Sequence, residues 1–275
     1  MPSPSRLRVA SVNVNGVRAA YRRGMGEWLA GRDVDLLALQ EVRASTEDLQ
    51  ALLGDEWDIL HDPATAKGRA GVAIASRRRA SIHRVELGGP DFDTAGRWLE
   101  ADYEVDGRIV TLVSAYVHSG EADTPKQVEK FKFLDAMQAR LPELQAHSEL
   151  ALVVGDLNVG HRTLDIRNWK GNVKRAGFLP EERAYFDRFV GAEGSEDHGL
   201  GWVDVGRRFA GEVDGPYTWW SFRGKAFDND AGWRIDYQLA TPALAELVTD
   251  YRVDRAATYD ARFSDHSPVV VDYAV

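Results

Sequence analysis

The stretch VDLLALQEV, residues 34–42, has a centre, Leu36 to Leu39, that is apolar without interruption. A strand with one wet face alternates apolar and polar residues; one buried on both faces does not. Residues 34–42 therefore read as a central strand of a covered sheet, closed by Glu41. Upstream, LRVASVNV (7–14) reads as a strand ending at an Asn-Gly pair. MGEWLAGRDV (25–34) reads as a helix stopping near Gly31. Downstream, AGVAIASRR (70–78) and the more alternating WLEADYEV (98–105) are strands. Asp106-Gly107 turns the latter into GRIVTLVSAYV (107–117), another buried strand. The best helix candidate is 125–145, with Thr124 as cap and Pro125 at its first position. SELALVVGDLNV (148–159) is a strand ending in Gly155, Asp156 and Asn158. Residues 160–201 are polar and mostly loop, with a helix around PEERAYFDRFVG. Strands follow at 233–241 and 266–275. Helices interleave with strands, but hairpins also occur, which favours mixed sheets over a doubly wound parallel one. A chain of 275 residues suits two packed sheets with outer helices. No fixed-period repeat or linker divides it, so the expectation is a flexible segment 1–6 and a single domain 7–275.

Composition removes several chemistries. There is no cysteine, so disulfides, thiolate metal sites and cysteine nucleophiles are excluded. The opening residues lack the apolar core of a signal peptide, and no run is long enough to span a membrane. A cytoplasmic protein is expected. The formal net charge of −9 argues against a uniformly basic surface. DNA contact would have to come from local charge, as at 162–175, where three arginines and two lysines stand against one aspartate.

The polar residues at strand ends carry the functional signal. Asn13, Glu41, Tyr116, His118, Asp156 and Asn158 each end or follow a strand. Asp236 sits within a short one, and Asp265-His266 precede the last. Each alone has an ordinary explanation, such as a turn residue or a surface acid. Together they place acids at one edge of packed sheets, and gathered acids suggest a hard cation. Ser264-Asp265-His266 is not a serine triad. Adjacent side chains of an extended segment point apart, and no G-x-S-x-G elbow precedes them. Dinucleotide, Walker and H-E-x-x-H spacings are absent. Oxygen ligands favour magnesium or manganese over zinc.

Seven segments in order, SVNVNGVR, LLALQEV, SAYVHSG, VVGDLNV, GFLPEER, TWWSFRGKAFDNDAGWRIDY and FSDHSPV, resemble the exonuclease III family of abasic-site endonucleases, within the endonuclease/exonuclease/phosphatase superfamily. The resemblance spans about residue 8 to residue 273. It implies a DNase I-like, four-layered α/β sandwich: two mixed β-sheets packed face to face with flanking helices. It implies a DNA-repair nuclease that cuts duplex DNA 5′ to abasic sites, with 3′→5′ exonuclease and 3′-phosphodiesterase or phosphatase activity. Mg2+ would be the cofactor, Mn2+ a plausible substitute. The partner would be duplex DNA with abasic sites or blocked 3′ ends, met by a bacterial-type, nucleoid-associated monomer.

The resemblance also implies residue roles. Glu41 would bind metal, with Asp265 as an outer ligand and Asn15 in weaker or water-mediated contact. Asp156 would orient or deprotonate the attacking water, Asn158 would hold it or the phosphate, and Asn13 would brace both. His266 would donate to a phosphate oxygen with Asp236 behind it, and Tyr116 would add a hydroxyl. Trp219, Trp233 and Ile235 would line the abasic pocket, and Trp220 would belong to the core. Arg22, Arg23, Ser119, Arg162, Arg167, Trp169, Lys170, Lys174, Arg223 and Lys225 would meet DNA. His118 stands where proline is common, and His161 is expected to overhang the cleft.

Overall fold

All five residues of Leu36–Gln40 are buried, because that strand has a layer on either side. The structure is a computed structural model and describes residues 5–66, 68–88, 95–192 and 199–275. Leu36 and Ala38 face a cluster shared with Leu112, Leu152 and Val154 of a second sheet. Leu37 and Leu39 face Val17, Met25 and Leu49 of the outer helices.

The strands are β1 (Arg6–Asn13), β2 (Leu36–Gln40), β3 (Asp58–Asp62), β4 (Val72–Ser76), β5 (Ile82–Arg84), β6 (Trp98–Val105), β7 (Arg108–Tyr116), β8 (Leu150–Asp156), β9 (Val203–Asp204), β10 (Asp236–Ala240), β11 (Val248–Val253) and β12 (Val269–Ala274). One sheet runs β11-β12-β1-β2-β4-β3, the other β5-β6-β7-β8-β10-β9. Each mixes orientations: β1 is parallel to β2 and antiparallel to β12, and β8 is parallel to β7 and antiparallel to β10. The helices Pro125–His147 and Pro180–Val190 cover the outer face of the second sheet through Phe133, Met137, Phe186 and Phe189. The result is a four-layered α/β sandwich. Pro125 opens its helix, and Thr124 Oγ1 accepts from the Lys126 N–H, as the sequence implies.

Several boundaries differ from the sequence reading. Arg6 already pairs with Ala274 in β1, so the folded part starts before residue 7, while residues 1–4 lie outside the described residues. The strand expected at 233–241 starts at Asp236, because Trp233 instead makes isolated bridges to Trp219 and Ile166. The strand expected at 266–275 starts at Val269, and β8 stops at Asp156. The helix expected to stop near Gly31 does so, spanning Met25–Ala30 with Gly31 as its C-cap. Strands β3, β5, β9 and β11 and the Ser45-capped helix Thr46–Leu53 carry too short or too mixed a pattern to stand out. Among the described residues no helix is long and apolar enough to cross a membrane.

Topology gathers the polar residues. Parallel β7 and β8 end side by side, with Tyr116 opposite Asp156. Antiparallel β10 begins where β8 ends, with Asp236 opposite Asp156. Gly155 permits the close pairing there. Its φ is 137°, and a Cβ would come 2.0 Å from the Ala115 carbonyl oxygen.

Candidate active site

At this edge lies a cleft of about 460 Å3, lined among others by Asn15, Glu41, Tyr116, Asp156, Asn158, Asp265 and His266. Asn13 sits beneath it with no exposure. Its Nδ2 donates to Glu41 Oε1 at 3.0 Å and to Asp156 Oδ2 at 2.9 Å, so one amide holds two carboxylates. Its Oδ1 accepts from the Asn15 N–H, and its carbonyl accepts from Ser264 Oγ at 2.7 Å. Ser264 is thus a turn residue that anchors the 264–266 segment to β1. Asn158, at φ 52°, donates its backbone N–H to Asp156 Oδ1 (3.0 Å) and its Nδ2 to Asp156 Oδ2 (3.1 Å).

Asp265 and His266 diverge. Asp265 accepts from Asn15 Nδ2 at 2.9 Å and from Trp219 Nε1 at 3.1 Å. His266 gives Nδ1 to Asp236 at 2.9 and 3.1 Å and leaves Nε2 3.7 Å from Asp156 Oδ2. Asp236 also accepts from Thr218 Oγ1 at 2.6 Å.

Electrostatics set the protonation states. Burial pushes the Asp156 carboxyl up to about 7, reinforced by Asp236 and Glu41 and opposed by His266 and Asn13. Burial opposes the charge on His266, but Asp236 and Asp156 outweigh it and raise the imidazole to about 10. Burial, with Glu41 and Asp156 close by, raises the Tyr116 phenol above its ordinary value, so it stays a donor.

Trp219 and Trp233 meet edge to face, with centroids 6.0 Å apart, and Ile235 completes that wall. Trp220 is buried in a separate cluster with Tyr217 and Phe227. The residues expected at DNA divide. Ser119 lines the cleft. Arg22 lines an adjoining concavity with Arg18 and Arg43, and Arg23 caps the helix Val17–Arg22. Arg167, Trp169, Lys170 and Arg175 line a basic concavity of about 520 Å3, where Lys170 stands over the Trp169 ring. Arg162 and Arg167 already pair with Glu212 and Asp214. Lys174 lies on a further groove with Val128 and Phe131. Arg223 and Lys225 occupy the turn after Trp220 and do not line the cleft. The one acid of the basic island, Asp165, is fully buried against Arg207 and Arg234, which leaves the island's outer face without an acid of its own.

The sequence reading missed two arginines. Arg43 pairs with Glu41 on the cleft wall. Arg97 lies over the Tyr116 ring at 4.5 Å and donates to its carbonyl. Arg43 lies two residues from Glu41, but neither arginine carries a motif of its own, and the fold assigns both. His161 does not overhang the cleft: its Nε2 is 2.7 Å from Asp187 and its ring packs on Phe186.

His118 turns inward onto Phe133, and its buried Nδ1 has no hydrogen-bond partner. Burial, aided by Arg97 and Lys130, depresses it to about 4. The unfolded chain therefore binds the proton first, and stability present above about pH 6.5 is lost as pH falls toward 4. In urea unfolding, His118→Phe should lose about 1–2 kcal/mol less than the wild type between pH 7.5 and 5, allowing for the ring's partial exposure. Equal losses in the two proteins would refute this.

Among the described residues, Asp156, Asp236 and His266 form a group whose ligand atoms lie within 4.8 Å of one another and could hold a metal ion. His266 is committed to Asp236 and raised toward its cationic form, which makes it a poor ligand. Glu41, Asp156 and Asp265 also line the cleft, and carboxylate oxygens are the donor type a hard divalent cation takes.

The chain matches the family described as "Endonuclease/Exonuclease/phosphatase family" over residues 10–266. It is 30% identical to an exodeoxyribonuclease of Bacillus subtilis (strain 168) over 264 residues, 96% of this chain and 98% of the relative. It superposes on an AP endonuclease from Archaeoglobus fulgidus with a TM-score of 0.81, at 27% identity, covering 98% of this chain and 100% of the other. A 3′ phosphatase from Neisseria, NExo, solved with product DNA hairpin, gives a TM-score of 0.83 at 26% identity, covering 97% and 99%. With Asn13 and Glu41 of one sheet joined to Asp156 and Asp236 of the other, beside His266, the chain belongs to the endonuclease/exonuclease/phosphatase family and is a nuclease of the exonuclease III-type AP endonuclease kind.

Proposed function

We propose that the protein hydrolyses the phosphodiester 5′ to an abasic site in duplex DNA, with a divalent cation, and also removes 3′ phosphates, 3′-blocking groups and 3′ nucleotides. The observation that carries this is one cleft holding both a raised carboxyl, Asp156, and a cationic histidine, His266, beside a wall of Trp219, Trp233 and Ile235.

The chemistry follows from the atoms. A divalent cation, when bound, supplies charge neutralisation on the phosphoryl group and a lower water pKa; Glu41 and Asp265 are the carboxylates to hold it, with Asn15 steadying Asp265. Asp156, raised to about 7, is poised to accept a proton from water at neutral pH. Asn13 and Asn158 aim it through three hydrogen bonds, one of them from the Asn158 backbone N–H. His266 donates from Nε2 to a non-bridging oxygen, where charge develops in the transition state, and Asp236 fixes its ring. Tyr116 adds a second donor. The indoles and Ile235 present an apolar wall to a baseless sugar and leave a paired base without polar partners. Arg22, Arg167, Trp169 and Lys170 would meet the flanking backbone, with Arg23, Arg162, Lys174, Arg223 and Lys225 further out. The protein acts as a monomer in the bacterial cytoplasm, at the nucleoid.

A labelled duplex with one tetrahydrofuran analogue tests the reading, with an undamaged recessed 3′ end run beside it. Incision 5′ to the analogue is expected with Mg2+, and with Mn2+ as substitute. Chelator should abolish it. An intact analogue strand across both metals and a range of salt would overturn the proposal.

A further inference from the structure

The helix Pro125–His147 carries a lysine that never reaches the cleft. Lys130 has no exposure, nor has its partner Glu182. The ammonium has three hydrogens and the fold gives it three acceptors: Glu182 Oε1 at 2.7 Å, the Asn158 carbonyl at 2.8 Å and the Ser119 carbonyl at 3.3 Å. Glu182 is held in turn. Its Oε1 accepts from Gln127 Nε2 and its Oε2 from the Leu179 N–H, both at 2.9 Å.

The two carbonyls belong to the two loops that wall the cleft, one following β7 and the other following β8. Gly120 lies on the lysine itself: a Cβ there would come 2.9 Å from Lys130 Cδ and 2.5 Å from Gln127 Oε1. Asn158 is in the left-handed region, at φ 52°, and both its amide groups hold the Asp156 carboxylate. Such a backbone persists when its surroundings over-determine it.

We propose that Lys130, neutralised by Glu182, is a positioning residue for hydrolysis, gripping the Asn158 and Ser119 carbonyls from behind so that Asp156 and the loop facing phosphate keep their reactive geometry. This rests on the nuclease reading of the cleft. Stability alone does not explain the pair, because well-packed apolar residues of similar volume stabilise a core as well or better. What apolar residues cannot do is donate to two loop carbonyls. Misplacement of reacting groups by about 1 Å can cost about 10²-fold in rate.

The test compares Lys130→Met with Lys130→Met/Glu182→Gln. The single variant strands a buried carboxylate, and its Tm should fall by about 10 °C. The double variant carries no buried charge and keeps an acceptor for Leu179, so most of the Tm should return. Its kcat on the abasic-analogue duplex should nevertheless stay at least about 10-fold below wild type at nearly unchanged KM. Exchange of the Asn158 amide hydrogen, which needs no substrate, should quicken by a similar factor. A double variant with wild-type kcat would overturn the proposal, and so would wild-type Asn158 exchange. Should the wild type not incise abasic DNA, the nuclease reading fails separately and the exchange result alone decides whether Lys130 holds the loop.

Discussion

Asp156→Asn and His266→Ala proteins that fold like the wild type are expected to cleave abasic-analogue DNA at least about 10²-fold more slowly, the loss typical of removing a transition-state donor. The two residues fail for different reasons. Asp156 is almost fully buried, and its oxygens receive hydrogens from Asn13 Nδ2 and from the backbone and side chain of Asn158. An asparagine there must turn an NH2 group toward one set of donors, and it cannot take up a proton at neutral pH. The same change relieves the crowding of Asp156 against Asp236 and Glu41, so stability should suffer less than turnover. His266→Ala removes the cation and leaves Asp236 with Thr218 as its side-chain partner. Its effect should fall on kcat more than on KM, because the donor matters most as phosphoryl charge develops. Single-turnover rates on the analogue duplex, with circular dichroism to verify folding, are the measurement. A folded His266→Ala protein with near-wild-type turnover would remove His266 from the mechanism.

How much of this the sequence discloses follows from the physics of each residue. Strands buried on both faces disclose themselves as apolar runs, so β2, β7 and β8 are legible, and with them the polar residues at their ends. Half-exposed or very short strands, such as β3 with its mixed burial and two-residue β9, are not. Asp265 and His266 are adjacent in sequence, yet their side chains serve different neighbours: Asn15 and Trp219 for one, Asp236 for the other. The order of motifs implied that split, but only the tertiary contacts display it. Asp165 was read as the single acid of a basic island. Its real partner lies 69 residues away, and no local pattern encodes that. Arg43 and Arg97 were concealed differently: their partners Glu41 and Tyr116 are near in sequence, but that these side chains share one cleft wall shows only once β2, β6 and β7 are stacked.

Arg234→Ala is expected to be among the most destabilising single changes in the molecule. The guanidinium is 1% exposed and every face is engaged. Nε donates to Asp165 Oδ1 at 2.7 Å, Nη1 and Nη2 grip both oxygens of Asp204 at 3.0 and 2.7 Å, and the plane lies 4.6 Å from the Tyr237 ring centre. Arg207 reaches the same Asp165 oxygen at 2.5 Å. Without Arg234, Asp165 keeps the Arg207 guanidinium but Asp204 keeps only the Arg207 backbone N–H, and breaking a buried pair from one side costs about 3–5 kcal/mol. In a chain of this size that corresponds to a fall in Tm of about 10 °C. Lysine should not rescue it, since an ammonium cannot reproduce the bidentate grip on Asp204 while also reaching Asp165. The exposed pair of Arg208 with Glu246 serves as control, and Arg208→Ala should leave Tm almost unchanged. The loss should also reach the cleft. Asp165 anchors the loop that carries Trp169 and Lys170, and Arg234 stands between Trp233 and Ile235, so the variant should bind abasic-analogue duplex more weakly even below its Tm. Calorimetry with fluorescence anisotropy on the same samples decides the point: an Arg234→Ala protein melting within about 2 °C of wild type would mean that the two aspartates find other partners and that the network is not what holds the tryptophan wall to the basic loop.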